Sequence, residues 1–274
     1  MKNKAENRII YILLSITAII MMVPFIWMIL TSFKTIAETT AVDPLVIFPS
    51  EWKVDAYLSV TQMYDFYALY ANTLILIFIR IILAIVTSST AAYALARLEF
   101  KGKNIVFGLV LLQMMVPTQI YLIPQYKIVA NLNMLNTMFA LVLPGIVSTF
   151  GVFLLRQAFL ALPMSLEEAA KIEGCNPPQV FFYVMLPLTK SSMVALGIFT
   201  ALFAYKELMW PMIVNTRNDS MTLSVALAKL QGQYTTNYPE LMAAAVIASV
   251  PIILLYLIFQ KQFIEGVATS GAKL

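Results

Sequence analysis

Six apolar stretches alternate with polar segments along the chain, each long enough to cross about 30 Å of hydrocarbon. The pattern predicts membrane helices over 9–32, 70–96, 104–124, 137–156, 190–213 and 240–260, preceded by a polar tail at 1–8. The first stretch is bounded by Arg8 and Lys34 and outruns the apolar core of a cleaved leader; Thr31–Ser32–Phe33 is a poor cleavage site. A bend is expected at its Pro24, and Pro117 lies inside the third stretch. Residues 34–69 are acidic, with Asp43, Pro44 and Pro49 among them, and read as an irregular, extended external loop. Asn131–Asn136 reads as a turn and 214–239 as a second polar loop. The expected fold class is all-α: a polytopic membrane protein of six spans.

One polar island stands apart from this rhythm, at 163–187. Ser165 and Glu168 have the spacing of a capping box, and Glu167 and Glu168 suit the positive end of a helix dipole. Ala169 and Ala170 favour helix, Lys171 suits its last turn, and Gly174 is placed to stop it in the left-handed conformation. Asn176 can cap a second short helix with Pro177 at its first position, and Leu186–Pro187 should close the island. The first helix is only about two turns, too short to persist alone in water, so it must dock on something. A small Ala169–Ala170 face would let a partner approach closely. On the residues alone, the island is either a docking lever or a plain connector between spans.

Composition agrees with the membrane reading: 61% of 274 residues are hydrophobic and 12% charged, with mean hydropathy +0.83. There is no histidine, which excludes imidazole acid–base chemistry and histidine metal sites. The single cysteine, Cys175, cannot form an internal disulfide and reads as a small packing residue. No nucleotide-binding loop is present, and no catalytic or metal-binding residues are assigned. The net charge of +4 is spread as loop anchors rather than as a nucleic-acid patch. Six spans put both ends on one side, and that side carries eleven of the loop and tail cations, Lys2, Arg97, Lys171 and Lys273 among them, against five opposite. The positive-inside rule therefore places both termini and the island in the cytoplasm.

Charged groups inside the spans are costly and normally pair within the bundle. Arg80 lies roughly 15 Å deep in the second span, and Lys206 and Glu207 lie in the fifth. Arg80 either pairs with Glu207 near a pathway or snorkels to the surface with Lys206. Hydroxyl and small side chains from Ala84 to Ala94 read as a helix–helix seam. Gln113, Gln119, Gln125, Tyr121 and Tyr126 either line a sugar path or anchor the interface.

Glu168-Ala169-Ala170, three residues, Gly174, nine residues, then Val184-Met185-Leu186-Pro187 resembles the EAA motif of ABC-importer permeases, with Val184 in place of isoleucine. Ala92-Tyr93-Ala94-Leu95-Ala96-Arg97, Pro117…Gln119…Pro124, Gly151–Gln157 and the terminal Gly266…Gly271-Ala272-Lys273 are similar to the carbohydrate branch, namely the second permease subunit of maltose-type systems. The family's W-N-[ED]-F-L-W-P reads here Tyr205-Lys206-Glu207-Leu208-Met209-Trp210-Pro211, and Lys206 puts an additional charge near the pathway. The resemblance implies the ABC type I importer transmembrane fold over 9–274, in a bacterial or archaeal cytoplasmic membrane. It implies that Ser165, Glu168, Ala169, Ala170, Gly174, Leu186 and Pro187 couple to an ATPase. The pathway candidates, Arg80, Gln113, Gln119, Glu207 and Trp210, rest instead on the polar and aromatic residues within the spans. The resemblance further implies a non-enzymatic subunit that binds no cofactor itself, with ATP and Mg held by two ATP-binding partners. A second permease, an extracytoplasmic sugar-binding protein and a sugar or oligosaccharide substrate complete the set. Alternatives are import of glycerol phosphate or another non-sugar solute. An ion-coupled secondary transporter would want acidic groups within the spans, where only Glu207 qualifies.

Overall fold

A computed structural model describes residues 4–42, 44–232 and 236–271; Lys2, Asp43, Ala272 and Lys273 lie outside them. Among the described residues the secondary structure is helical throughout. In chain order, α1 spans Lys4–Thr31, α2 Ile36–Thr40, α3 Asp55–Met63 and α4 Phe66–Arg97. Then come α5 (Lys103–Met115), a 3-10 turn (Thr118–Tyr121), α6 (Leu122–Asn131), α7 (Met138–Val142) and α8 (Thr149–Leu160). The island supplies α9 (Ser165–Ile172), α10 (Pro177–Gln179), a π-helical stretch (Val180–Met185) and α11 (Leu186–Leu188). The chain closes with α12 (Lys190–Lys206), α13 (Met209–Val214), α14 (Leu223–Leu230) and α15 (Tyr238–Gly271).

Among the described residues three helices are long and apolar enough to cross a membrane unaided: α1, α4 and α15. The other three spans are bent pairs, α5 with α6 (95°), α7 with α8 (44°) and the Pro177–Leu188 stretch with α12 (74°). The number of spans agrees with the apolar pattern, but the expected straight helices over 104–124, 137–156 and 190–213 are each interrupted. Proline explains the interruptions, because its ring collides with the carbonyl four residues back and it has no N–H. Pro117 breaks the third span at Val116; Pro144 and Gly145 break the fourth. Pro211 stands four residues after Glu207, and there the helix opens to an extended backbone. The Glu207 carbonyl so released accepts from Ser224 Oγ at 2.7 Å. By contrast α4 contains neither proline nor glycine and runs 32 residues without a break.

The chain divides into two compact units, residues 1–66 with 226–254 and residues 67–225 with 255–274. In the first, α1 begins before residue 9 and continues through Pro24, with none of its membrane window buried. An apolar surface on every side suits lipid or protein surroundings, not water. The 34–69 loop is not wholly irregular, since α2 and α3 form within it; only the stretch around Pro44 and Pro49 stays non-helical. Lys34 is buried where α1 ends, donating to the Val46 carbonyl at 2.7 Å beside the Trp27 ring.

Thr35 and Glu38 form a full capping box on α2. The Ser50 side chain, then the Thr35 and Ser50 backbone N–H groups, hold the Glu38 carboxyl down at about 2. A depressed carboxyl stabilises the fold above the ordinary carboxylate range, and that contribution disappears as pH falls towards 2. Proteolysis of the 35–50 segment should therefore rise as pH falls from about 5 towards 2, the range set by that depression. Glu38→Gln should be susceptible throughout; an unchanged pH profile in that variant would refute the assignment.

Apolar clusters hold the second unit together, and two of them bear on the sites below. Leu155, Phe159, Val180, Phe181, Met185 and Tyr93 bind the island to α4 and α8. Leu76, Leu141, Trp210 and Val214 join α4 to α7 and α13. The hydroxyl-rich face of α4 is a seam, as its composition predicts. Thr87 donates to the Ile146 carbonyl at 2.7 Å and Ser88 to that of Ser148 at 3.2 Å, both where the fourth span is broken. A Cβ at Gly151 would stand 2.5 Å from Ser88 Oγ, so the close approach requires glycine.

Candidate functional site

The three helix breaks converge on a cavity of about 310 Å³. Arg80, Gln113, Gln119, Glu207 and Trp210, scattered over 130 positions of sequence, all line it, together with Tyr121 and Gln125. Tyr126 packs instead against the Leu76–Trp210 cluster, and Lys206 is an exposed side chain outside the lining. Lys206 therefore does not bring its charge to the cavity wall, because the helix opens immediately after it and turns Glu207 inward.

Arg80 resolves the choice left open by the sequence: it pairs. Nη1 lies 2.6 Å from Glu207 Oε2, and Nη2 donates to the Leu141 carbonyl. The Arg80 side chain is 8% exposed and that of Glu207 29%. Gly145 lets the guanidinium pass, since a Cβ there would stand 2.8 Å from Arg80 Nε. Trp210 Nε1 donates to the Ala140 carbonyl at 2.8 Å, so the indole is a fixed wall rather than a free donor. The glutamines supply the wall's adaptable donors and acceptors.

The island is the second candidate. Gly174 has φ +88°, and α9 ends in a Schellman motif: Gly174 N–H bonds the Lys171 carbonyl and Cys175 N–H that of Ala170, each at 3.0 Å. Asn176 and Gln179 form a reciprocal cap on α10, with Pro177 at its first position. Two expectations need correction. Ser165 is not the cap of α9; the Pro163 and Met164 carbonyls already accept from Leu166, Glu167 and Glu168, so Ser165 lies inside the first turn and makes no box with Glu168. Pro187 does not close the island, because the helix persists to Leu188. The ladder widens just before Pro187, with Leu186 N–H reaching back five residues to Phe181, and the wider turn accommodates the ring.

The outward face of α9 also differs from the Ala169–Ala170 pair. Ala170 is buried against the chain's own core. Ser165, Glu168, Ala169 and Ile172 face outward with helical spacing, and Ile172 is 86% exposed. The sequence marks Glu167 as a first-turn acid and Arg97 as a loop cation closing the Ala92–Arg97 motif, with nothing to pair them. The structure pairs them at 3.1 Å with both side chains 5% exposed. Arg97 also donates to the Phe159 and Leu162 carbonyls, each at 2.6 Å, capping the end of α8. Arg156 returns the arrangement from α8, with Nε donating to Leu95 at the end of α4. The available signal was the helical offset that places Glu167 beside Ala170 on the inner face.

Within the second unit, broken membrane helices thus enclose a polar cavity, and the polar helix α9 is capped and packed on the same core. The family model for the inner membrane component of binding-protein-dependent transport systems matches residues 81–268, and the chain belongs to this family. It is 36% identical to the arabinooligosaccharides transport system permease protein AraQ of Halalkalibacterium halodurans, over 93% of this chain and 92% of that protein. It is 28% identical to the lactose transport system permease protein LacG of Rhizobium radiobacter, over 98% of each. Its fold matches a chain in the crystal structure of a bacterial ABC transporter involved in the import of the acidic polysaccharide alginate. That match has a TM-score of 0.79 at 22% identity, covering 95% of this chain and 98% of the other. The fold is thus that of an ABC importer permease.

Proposed function

We propose that this chain is one permease of a sugar importer that works by alternating access, driven by ATP hydrolysed on two partner subunits. The observation that carries the reading is α9: a two-turn helix closed by the Gly174 Schellman motif, with Ile172 standing out for a partner to enclose. Glu168 and Ala169 lie on that same outward face, while Ala170 and Leu186 pack into the chain's core. An ATP-binding subunit grips the lever; a binding protein delivers sugar on the opposite side, and a second permease completes the pathway. ATP and Mg sit on the ATPase partners, and this chain contributes no hydrolytic group. Neutral oligosaccharides are the substrate class, supported by the arabinooligosaccharide and lactose relatives and by the glutamine-lined cavity.

The test is uptake of radiolabelled arabinotriose and lactose into vesicles carrying the chain with its partners. Uptake of at least one sugar should need the ATP-binding subunits and ATP and should survive collapse of the proton and sodium gradients. Gradient-driven uptake without ATP would overturn the reading, as would ATP-driven uptake of glycerol phosphate with neither sugar carried.

A further inference from the structure

The Arg80–Glu207 pair does more than hold helices together: we infer that Glu207 makes the cavity selective for uncharged over anionic saccharides. The inference rests on the importer reading above and adds the basis of its substrate choice. Arg80 and Glu207 are the only ionisable acidic or basic side chains among the residues lining the cavity. An arginine in such a wall would by itself attract a carboxylate, since its guanidinium matches that group in a two-pronged geometry. Here both terminal nitrogens are already engaged, Nη1 by the Glu207 carboxylate at 2.6 Å and Nη2 by the Leu141 carbonyl, and Nε is buried. The pair has no net charge, so the wall offers an anion no attraction.

The asymmetry of the pair adds repulsion. Arg80 is nearly buried at 8% exposure, whereas Glu207, at 29%, is the member presented to an incoming ligand. A uronate would meet a carboxylate before any cation and would lose hydration without gaining a counter-charge. A neutral sugar meets amides from Gln113, Gln119 and Gln125, which donate to and accept from hydroxyls. The break forced by Pro211 sets this polarity, because it turns Glu207 out of the helical path and over the deeper arginine.

The experiment is ligand binding to the complete transporter in lipid nanodiscs without the binding protein, which would impose its own choice. Arabinotriose and maltotriose serve as neutral probes and digalacturonate as the anionic probe. Wild type should bind the better neutral probe at least about tenfold more tightly than digalacturonate. Glu207→Gln leaves Arg80 without its counter-charge and should narrow that ratio to about threefold or reverse it, by strengthening digalacturonate binding. Adding Arg80→Gln to that variant removes the uncompensated cation and should restore a preference for the neutral probe. A charge-swapped pair, Arg80→Glu with Glu207→Arg, keeps neutrality but presents the cation outward, so digalacturonate should gain over wild type. An unchanged ratio in Glu207→Gln, or equal binding of both classes by wild type, would overturn the inference and leave the importer reading standing. Absence of ATP-driven uptake of both arabinotriose and lactose would instead strike the importer reading itself.

Discussion

Glu167→Ala should sever uptake from ATP consumption and destabilise the assembled transporter. The substitution leaves the Arg97 guanidinium buried without its counter-charge, a loss of roughly 3–5 kcal/mol when one partner of a buried pair is removed. The carbonyls of Phe159 and Leu162 still hold two of its donors, so the arginine is kept in place and cannot escape to solvent. Coupling suffers along with stability because of what Arg97 is attached to. It is the last residue of α4, and Arg80 lies 17 positions earlier on the same unbroken helix. That is about 25 Å at helical rise. One stiff rod therefore carries the island at its end and the cavity's ion pair near its middle. On the importer mechanism proposed above, movement of α9 would reach the cavity through Glu167, Arg97 and that rod. Glu167→Gln retains an oxygen acceptor and should fall between wild type and alanine. Replacing both residues by apolar ones of similar volume should recover thermal stability, because no orphaned charge remains. Uptake per ATP should stay low in that double variant, since the apolar pair lacks the directional hold of the ion pair. Measurements of Tm, ATPase rate and uptake in the same vesicles separate the two effects. Full coupling in the double variant would show the pair to be structural only.

The course of the chain was legible because lipid imposes a strong pattern: six apolar stretches appear where six spans form. What periodicity could not reveal is where those spans break. Pro117 and Pro211 are visible in the sequence, yet Pro24 and Pro251 sit within continuous helices. The outcome depends on whether something receives the freed carbonyl, as Ser224 does for Glu207. Arg80 and Glu207 could be suspected as a pair because intramembrane charge is costly and Glu207 is the one acid lying beyond the first turn of an expected span. Arg97 and Glu167 escaped notice because a charge at a span's end is ordinary in sequence, and its burial is decided by the packing of α4, α8 and α9. The Ser165 box failed for a local reason of the same kind, in that two preceding carbonyls started the helix first. Neighbours set by tertiary structure, rather than by spacing, settled each of these cases.

Gly174 offers the second large effect, and here size and conformation can be told apart. A Cβ at this position would meet nothing within 4 Å, so space permits any side chain. The φ of +88° does not permit it, because side-chain-bearing residues reach the left-handed region only at a cost of about 1–2 kcal/mol, and β-branched ones at more. Loss of that conformation undoes two hydrogen bonds at once, from Gly174 to Lys171 and from Cys175 to Ala170. Without them α9 loses its stop, and the outward orientation of Ile172 goes with it. Asn, which tolerates the left-handed region, should keep most of the uptake; Ala should lower it several-fold; Val should abolish it. Assembly with the ATPase subunits should persist in all three, since the buried anchors Ala170, Val180 and Phe181 are untouched. Crosslinking a cysteine at Ile172 to the ATPase subunit should weaken in the same order as uptake. A ranking by side-chain volume, with Ala better than Asn, would show that crowding by the partner rather than backbone conformation selects glycine here.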